Sequence, residues 1–488
     1  MFIGLDLGTS GLKAVLVDAE GQVLTTRTVA VSTQRPQPLW VEQDPAEWWQ
    51  ATQQVFAELA KSHDLSGVQA IGIAGHMHGA VMLDGEGNVL RPCIMWNDGR
   101  SATECDLLEQ AVPDFRVRSG NLAMPGFTAP KVLWVQRHEP EVFAATAKVL
   151  LPKDYLRFCL TGEYLSDMSD AAGTLWLDPE RRAWDDVLLA ATGLSRTHMP
   201  DLVEGSTPAG YLRPEVAAAL GVPVVPVVGG AGDNAAGALG VGVIDPGDAF
   251  ISLGTSGVYF VVSDQHHAAP EHTVHAFCHC LPQRWHQMSV MLSAASSLDW
   301  FAAVTGTTVA ELLEELEGSD VRTTPVTFLP YLNGERTPHN DPLACAQFYG
   351  LTAATTRAQM TLAVLEGVAF SVADGEAALQ AAATPIGSVS LIGGGARSAR
   401  WRQILADVLQ RPLNYRAGGD VGPGLGAARL AMLGVYGVSP TTLQRWCPPP
   451  PLIALHEPDP TSVEYYQQQL ARYRALYQAI LSVRAALT

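Results

Sequence analysis

Asp6 stands two residues before Gly8-Thr9-Ser10-Gly11, with Lys13 just beyond. A carboxylate beside a turn of small residues suits phosphate and metal together: free backbone N–H groups of the turn donate to phosphate oxygens, and the carboxylate holds a hydrated Mg²⁺. The letters Leu-Gly-Thr-Ser-Gly return at residues 253–257, with Gly254, Thr255 and Ser256 in the turn and Ser252 where the first copy has Asp6. One acid between two such turns fits one metal site for one nucleotide. Read singly, either turn is only a hairpin turn. Their repetition points to two halves of one design that share a cleft.

Four further stretches carry ligand-shaped residues. The apolar run 70–74 ends in Gly75-His76-Met77-His78-Gly79, and ligands of open α/β sheets gather beyond such strand ends. Trp96, in Trp96-Asn97-Asp98-Gly99-Arg100, offers a flat face and an N–H that suit a sugar, the alternative being a core tryptophan. Asp233 follows Gly229-Gly230-Ala231-Gly232 at a strand-to-helix junction, a position where an aspartate is commonly an N-cap. Gly393-Gly394-Gly395 closes a strand and either lets a flat group such as adenine with its ribose approach the backbone or forms a left-handed turn alone. The run 275–280 alternates His275, Phe277 and His279 with Cys278 and Cys280; with no second ligand pair nearby to close a tetrahedral zinc site, it reads as a strand near the cleft.

The elements that must position these residues follow from pattern. Apolar runs on either side of residues 8–11 predict a hairpin over 2–18 whose small residues permit φ > 0. A third strand spans 21–31, and Asp44-Pro45 opens a helix with Asp44 as N-cap. A second hairpin turns at 84–88, and helical sequence dominates from about 102 to 161, broken at Pro113 and 124–126. Strands are expected at 222–228 and 389–392, and helices at 235–239, 292–304, 359–378 and 461–487, the last amphipathic. Asp245-Pro246-Gly247-Asp248 reads as the joint between halves, and 328–338 as an ordered loop.

At 488 residues the chain is long enough for two or three domains, and 47% hydrophobic residues supply large cores. A net charge of −18 argues against nucleic acid and anionic membrane surfaces as partners. An anionic nucleotide is then met by local N–H groups, a few cations and a metal. Seven scattered cysteines fit reduced thiols in a cytoplasm, and neither a secretory leader nor a membrane-spanning run is expected.

On these residues the chain resembles the FGGY family of carbohydrate kinases over essentially its whole length. One family signature is matched by Gly126-Phe127-Thr128-Ala129-Pro130-Lys131 and on to His138, the second from Ala346 and Phe348 through Gly350-Leu351 to Glu366. The resemblance implies an α/β fold of two ribonuclease H-like domains, the actin/hexokinase/Hsp70-like ATPase fold, flanking a deep cleft. Residues 1–245 would bind sugar and carry the first phosphate hairpin; 246–488 would bind nucleotide and carry the C-terminal helix. It implies ATP-dependent phosphorylation of a sugar with Mg²⁺, and the Met77-His78 step with the Trp96 run is similar to members acting on D-xylulose.

Carried over residue by residue, Met77, His78 and Asn234 would contact sugar and Asp233 would be the catalytic base, which reverses its N-cap reading. Gly8, Thr9, Ser10 and Lys13 would face the phosphates from one domain, and Gly254, Thr255 and Ser256 from the other. Gly394, Gly395 and Ala396 would lie at the nucleotide, with Ala399 where several relatives have Asn. A homodimer is implied, and a cleft whose closure lets sugar raise nucleotide affinity. The alternative within the family is a kinase for another pentulose or polyol such as ribulose, glycerol or gluconate; an actin-like switch ATPase is the competing class, and the polar loops at 76–79 and 96–100 argue against it.

Overall fold

The computed structural model describes residues 1–417 and 422–487. Phe2–Gly8 and Gly11–Val17 form the expected antiparallel hairpin, with Asp6 opposite Lys13 and Gly8 opposite Gly11. Val23–Ala30 extends the sheet on the outer side. On the inner side Ala70–Gly75 pairs in parallel with Phe2–Gly8, followed by Pro226–Val228 in parallel and Pro208–Tyr211 antiparallel.

The second sheet repeats that succession. The hairpin Ala249–Leu253 and Gly257–Ser263 is flanked by Trp285–Met291 and His275–Cys278 on one side. On the other side come Val389–Ile392 and Leu413–Arg416 in parallel, then Leu452–His456 antiparallel. The repeat in the letters is therefore a repeat of topology. It is imperfect at two points: the second sheet has the additional strand His275–Cys278, and Leu253 pairs with Gly257, leaving three residues in the second turn, where Gly8 pairs with Gly11 and leaves two. Neither turn uses positive φ, contrary to expectation. The small residues serve instead to keep the backbone uncovered, and Ser10 and Thr255 at the two tips are exposed.

Each sheet is buried between helices. Pro45–Ala60 starts at Pro45, is capped by the Asp44 carboxylate on the Ala46 N–H, and buries Trp48, Val55 and Phe56. Ala70–Gly75 is buried on both faces, and a Cβ at Gly72 would lie 1.9 Å from the Ala427 carbonyl oxygen. The late helix Gly422–Tyr436 thus returns to lie directly on the first sheet. In the second half, Arg357–Ala381 is buried almost all round. The final helix, Val463–Leu487, sinks Tyr466, Tyr473 and Tyr477 into the second core.

Three expectations need correction. The run 222–228 is a strand only over Pro226–Val228, because Pro223 and Pro226 remove ladder donors. The turn at 84–88 forms, with the Asp84 carboxylate accepting from Glu86 and Asn88, but its hairpin is one bridge, Leu83 to Val89. Val81–Leu83 pairs instead with the distant strand Lys148–Leu150. The helix expected over 292–304 begins at Ala295.

Candidate active site

The second hairpin ends at a cavity of about 270 Å³. From the first half, Met77, His78, Trp96, Asp233 and Asn234 line it; from the second, the turn Gly254-Thr255-Ser256, with Ser252 beneath it. Five residues picked out for sugar chemistry and one phosphate turn therefore meet in one space.

Asp233 is the first residue of the helix Asp233–Gly240, whose N-cap is Gly232. It is therefore not an N-cap, and its carboxylate is arranged differently. Oδ1 accepts from the Asn234 backbone N–H at 2.8 Å and from the Asn234 amide at 3.0 Å. Oδ2 takes no hydrogen bond from the described residues and is left for the cavity. Burial, and then the charge of Asp6, push the carboxyl up to about 7 against the hydrogen bonds of Asn234. Burial lifts Asp6 itself to about 6, opposed by Lys13 across the strand pair.

His78 sits at φ 73°. Its Nδ1 lies 2.8 Å from the Gly173 carbonyl, so Nδ1 carries the proton and Nε2 is an acceptor. Burial pushes the ring down to about 3, which keeps it neutral. The strained backbone is held by its own carbonyl, which accepts from Thr128 Oγ1 at 3.1 Å and Lys131 Nζ at 2.9 Å. Lys131 also donates to the Gly126 carbonyl at 2.5 Å, and burial pushes its ammonium down to about 7. Two residues of the first signature, Thr128 and Lys131, thus fasten the Met77–His78 loop from below.

The other expected nucleotide residues lie beside the cavity. Asp6, Gly8, Thr9, Ser10 and Lys13 belong to the neighbouring turn, joined to the cavity wall where Trp96 Nε1 donates to Thr9 Oγ1 at 3.0 Å. Only the flat face of Trp96 remains for a ligand, since its N–H is taken. The Gly393-Gly394-Gly395 turn packs under the second hairpin, a Cβ at Gly395 lying 3.0 Å from that of Leu253. Gly394 is exposed, whereas Ala396 is buried, with its carbonyl accepting from Arg402 and its N–H donating to Gly393. Ala399 is exposed at the start of the helix Ala399–Leu409.

Family models match both halves: FGGY family of carbohydrate kinases, N-terminal domain, over residues 1–240, and C-terminal domain over residues 249–435. The chain belongs to the FGGY family of carbohydrate kinases. Xylulose kinase of Escherichia coli (strain K12) is 55% identical across 99% of this chain and 100% of its own length. Xylulose kinase of Klebsiella pneumoniae is 53% identical across 98% and 99%. A xyloylose kinase of Brucella ovis superposes with a TM-score of 0.95 at 48% identity, covering 99% of both chains. The fold is the two-domain α/β fold of the sugar kinases, and membership implies ATP as co-substrate.

Several residues at this cavity were not assigned a ligand role from sequence. Phe127, His275 and Arg336 line the cavity; Phe127 lay in plain view within the signature. His275 stacks on Phe277, two positions on, as the strand alternation required. It turns to the cavity, and among the described residues no group of three His, Cys, Asp or Glu could hold a metal. Behind Asp233 lies a buried ion cluster in which Lys153 meets Asp154 at 2.5 Å, Asp167 at 2.8 Å and Asp170 at 3.4 Å. Ser169, in its midst, accepts from the Gly232 N–H at 3.2 Å and so fixes the approach to Asp233. The density of acids around one lysine over 153–170 was the available signal.

Proposed function

We propose that the protein transfers the γ-phosphoryl group of ATP to the terminal hydroxyl of D-xylulose, giving D-xylulose 5-phosphate in xylose catabolism. The observation that carries the reading is the open Oδ2 of Asp233, placed between the Met77–His78 loop and the Gly254-Thr255-Ser256 turn. Full-length similarity to xylulose kinases supports the choice of sugar.

Phosphoryl transfer asks mainly for positioning and charge neutralisation. Met77, His78, Asn234 and the face of Trp96 hold the sugar, with His78 Nε2 accepting from a hydroxyl. Asp233 Oδ2 takes the proton of the attacking hydroxyl. Gly8, Thr9, Ser10 and Lys13 face the phosphates from one side and Gly254, Thr255 and Ser256 from the other, with Gly394, Gly395 and Ala396 forming the turn beneath the adenine end. Mg²⁺ carried with the nucleotide would supply charge neutralisation at the phosphates. The residues fit it: Asp6 is a largely buried carboxylate whose charge weighs on Asp233, a pairing that a nearby cation relieves. With no group of three His, Cys, Asp or Glu side chains placed to hold a metal among the described residues, such an ion keeps most of its water and phosphate ligands.

Residues 1–245 form the sugar-binding unit in this reading and 246–488 the nucleotide-binding unit, closing on each other when both substrates are present. No helix among the described residues is long and apolar enough to cross a membrane; we place the enzyme in the cytoplasm as a homodimer. The test is ADP release from MgATP with D-xylulose, D-ribulose, L-ribulose, glycerol and gluconate. Turnover highest with D-xylulose supports the assignment. Preference for another member overturns the substrate, and sugar-independent turnover alone overturns the kinase mechanism.

A further inference from the structure

The loop that follows the strand Thr327–Leu329 carries a guanidinium, that of Arg336, into the cavity from the second half of the chain. Among the described residues it makes no salt bridge. Its one side-chain hydrogen bond is a long one, Nη1 to His275 Nε2 at 3.5 Å, and burial holds that imidazole neutral. An arginine has five N–H donors, so most of this group's donors face the cavity without a protein acceptor. The side chain reaches the first half of the molecule: a Cβ on Gly126 would lie 3.7 Å from Nη2. It therefore stands at the wall formed by Gly126, Phe127 and His275, on the same side as His78.

The backbone of this residue is pinned. Its carbonyl accepts from the Asn340 N–H at 2.5 Å and from Thr273 Oγ1 at 3.2 Å. Glu335 Oε1 accepts from the Arg336 and Leu292 N–H groups at 2.8 and 2.9 Å. Glu335 exchanges backbone hydrogen bonds with Asp341, and Asp341 Oδ2 accepts from Tyr477 Oη at 2.8 Å and Arg484 Nη2 at 2.6 Å. Tyr331, at the start of the loop, meets the Tyr473 hydroxyl at 2.7 Å. Tyr473, Tyr477 and Arg484 all belong to Val463–Leu487, so the last helix braces the loop from outside while its tip enters the cleft.

We propose that Arg336 reads the sugar from the second domain, donating to the carbonyl and hydroxyl oxygens of a bound ketose beside His78, and that the C-terminal helix positions it there. A planar donor fork without an acid partner matches adjacent carbonyl and hydroxyl oxygens. A buried donor left unpaired by a poor ligand penalises that ligand, which makes the contact a source of specificity. The inference rests on the proposed sugar kinase reading, so its test includes a measurement that does not depend on turnover. D-xylulose is titrated calorimetrically into the full-length wild type and into R336M, R336K and Y477F without nucleotide, beside KM for sugar and for ATP.

Arg336→Met should raise both the dissociation constant and KM for D-xylulose at least tenfold while KM for ATP moves less than twofold, with Arg336→Lys recovering part of the loss. Tyr477→Phe should raise the sugar KM a few-fold with kcat nearly kept. Sugar binding by R336M within twofold of wild type overturns the assignment, as does a rise confined to KM for ATP, which would put the guanidinium on the phosphates. If wild type binds D-xylulose but another acceptor is turned over faster, the substrate reading fails while the binding arm still decides the role of Arg336.

Discussion

Asp233→Asn should make the protein more stable while removing its activity. Asparagine has the same shape, its Oδ1 can still accept both hydrogen bonds from Asn234, and only the charge is lost. In the folded protein the carboxyl is raised from 3.8 to about 7, which at about 1.4 kcal/mol per pH unit sets an upper bound of about 4 kcal/mol on the destabilisation caused by ionising it in place. The side chain keeps one face on cleft water, so about 2 kcal/mol is expected. The sign follows from proton binding. Between pH 3.8 and about 7 the folded protein holds a proton that the unfolded chain has released, so rising pH withdraws stability across that window and the loss is complete above it. The variant escapes this loss. Its advantage in Tm should be near zero at pH 4.5, grow towards pH 7 and level off at a few degrees by pH 8. Thermal denaturation of both proteins across that range, without ligands, reads the difference, and kcat should fall by at least 10². A variant no more stable than wild type at pH 8, or an advantage that ignores pH, would refute the electrostatic account of this site.

The same carboxyl should set the acid limb of kcat/KM, which should rise with pH and level off above about 7; Asp6→Asn should shift the limb of the residual activity to lower pH, since the like charge is gone, and a flat profile down to pH 5.5 would contradict this. Gly173→Ala would place a Cβ 2.5 Å from the His78 ring and should raise KM for sugar at least tenfold in steady-state kinetics, with KM for ATP nearly unchanged. Lys153→Met leaves three buried carboxylates without their shared cation and should cost about 3–5 kcal/mol in urea denaturation. Of the seven cysteines, Cys345 is exposed and Cys159 partly so, so a chromogenic disulfide reagent should titrate one thiol quickly in the native protein and the buried ones only on unfolding.

Which parts of this architecture could be read from the chain depended on how local their causes were. The two hairpins were legible because Ile, Leu and Val runs flank identical small-residue turns, and Asp44 with Pro45 announced a helix start that formed as read. The one-residue difference in closing register between the turns was not legible, since identical letters close differently according to the strands beyond them. Residues 84–88 made their turn, yet Val81–Leu83 chose a partner more than sixty residues away on packing grounds. Within the site, position alone pointed to an N-cap at Asp233, and only resemblance to a family pointed to catalysis. Trp96 could be read as a sugar face, but not that Thr9 would occupy its N–H. His275 could be read only as part of a strand near the cleft and Arg336 only as part of an ordered loop, because neither segment carries a phosphate- or sugar-like pattern; they become site residues only when the second sheet is set against the first.

The central claim is that Asp233 acts on a sugar already held by Met77, His78 and Asn234. The measurement that tests it most directly is calorimetric binding of D-xylulose to Asp233→Ala, alongside its sugar-dependent ADP release. The account predicts that the sugar still binds with a dissociation constant within about tenfold of wild type while transfer is abolished. Near-wild-type turnover by Asp233→Ala would contradict it.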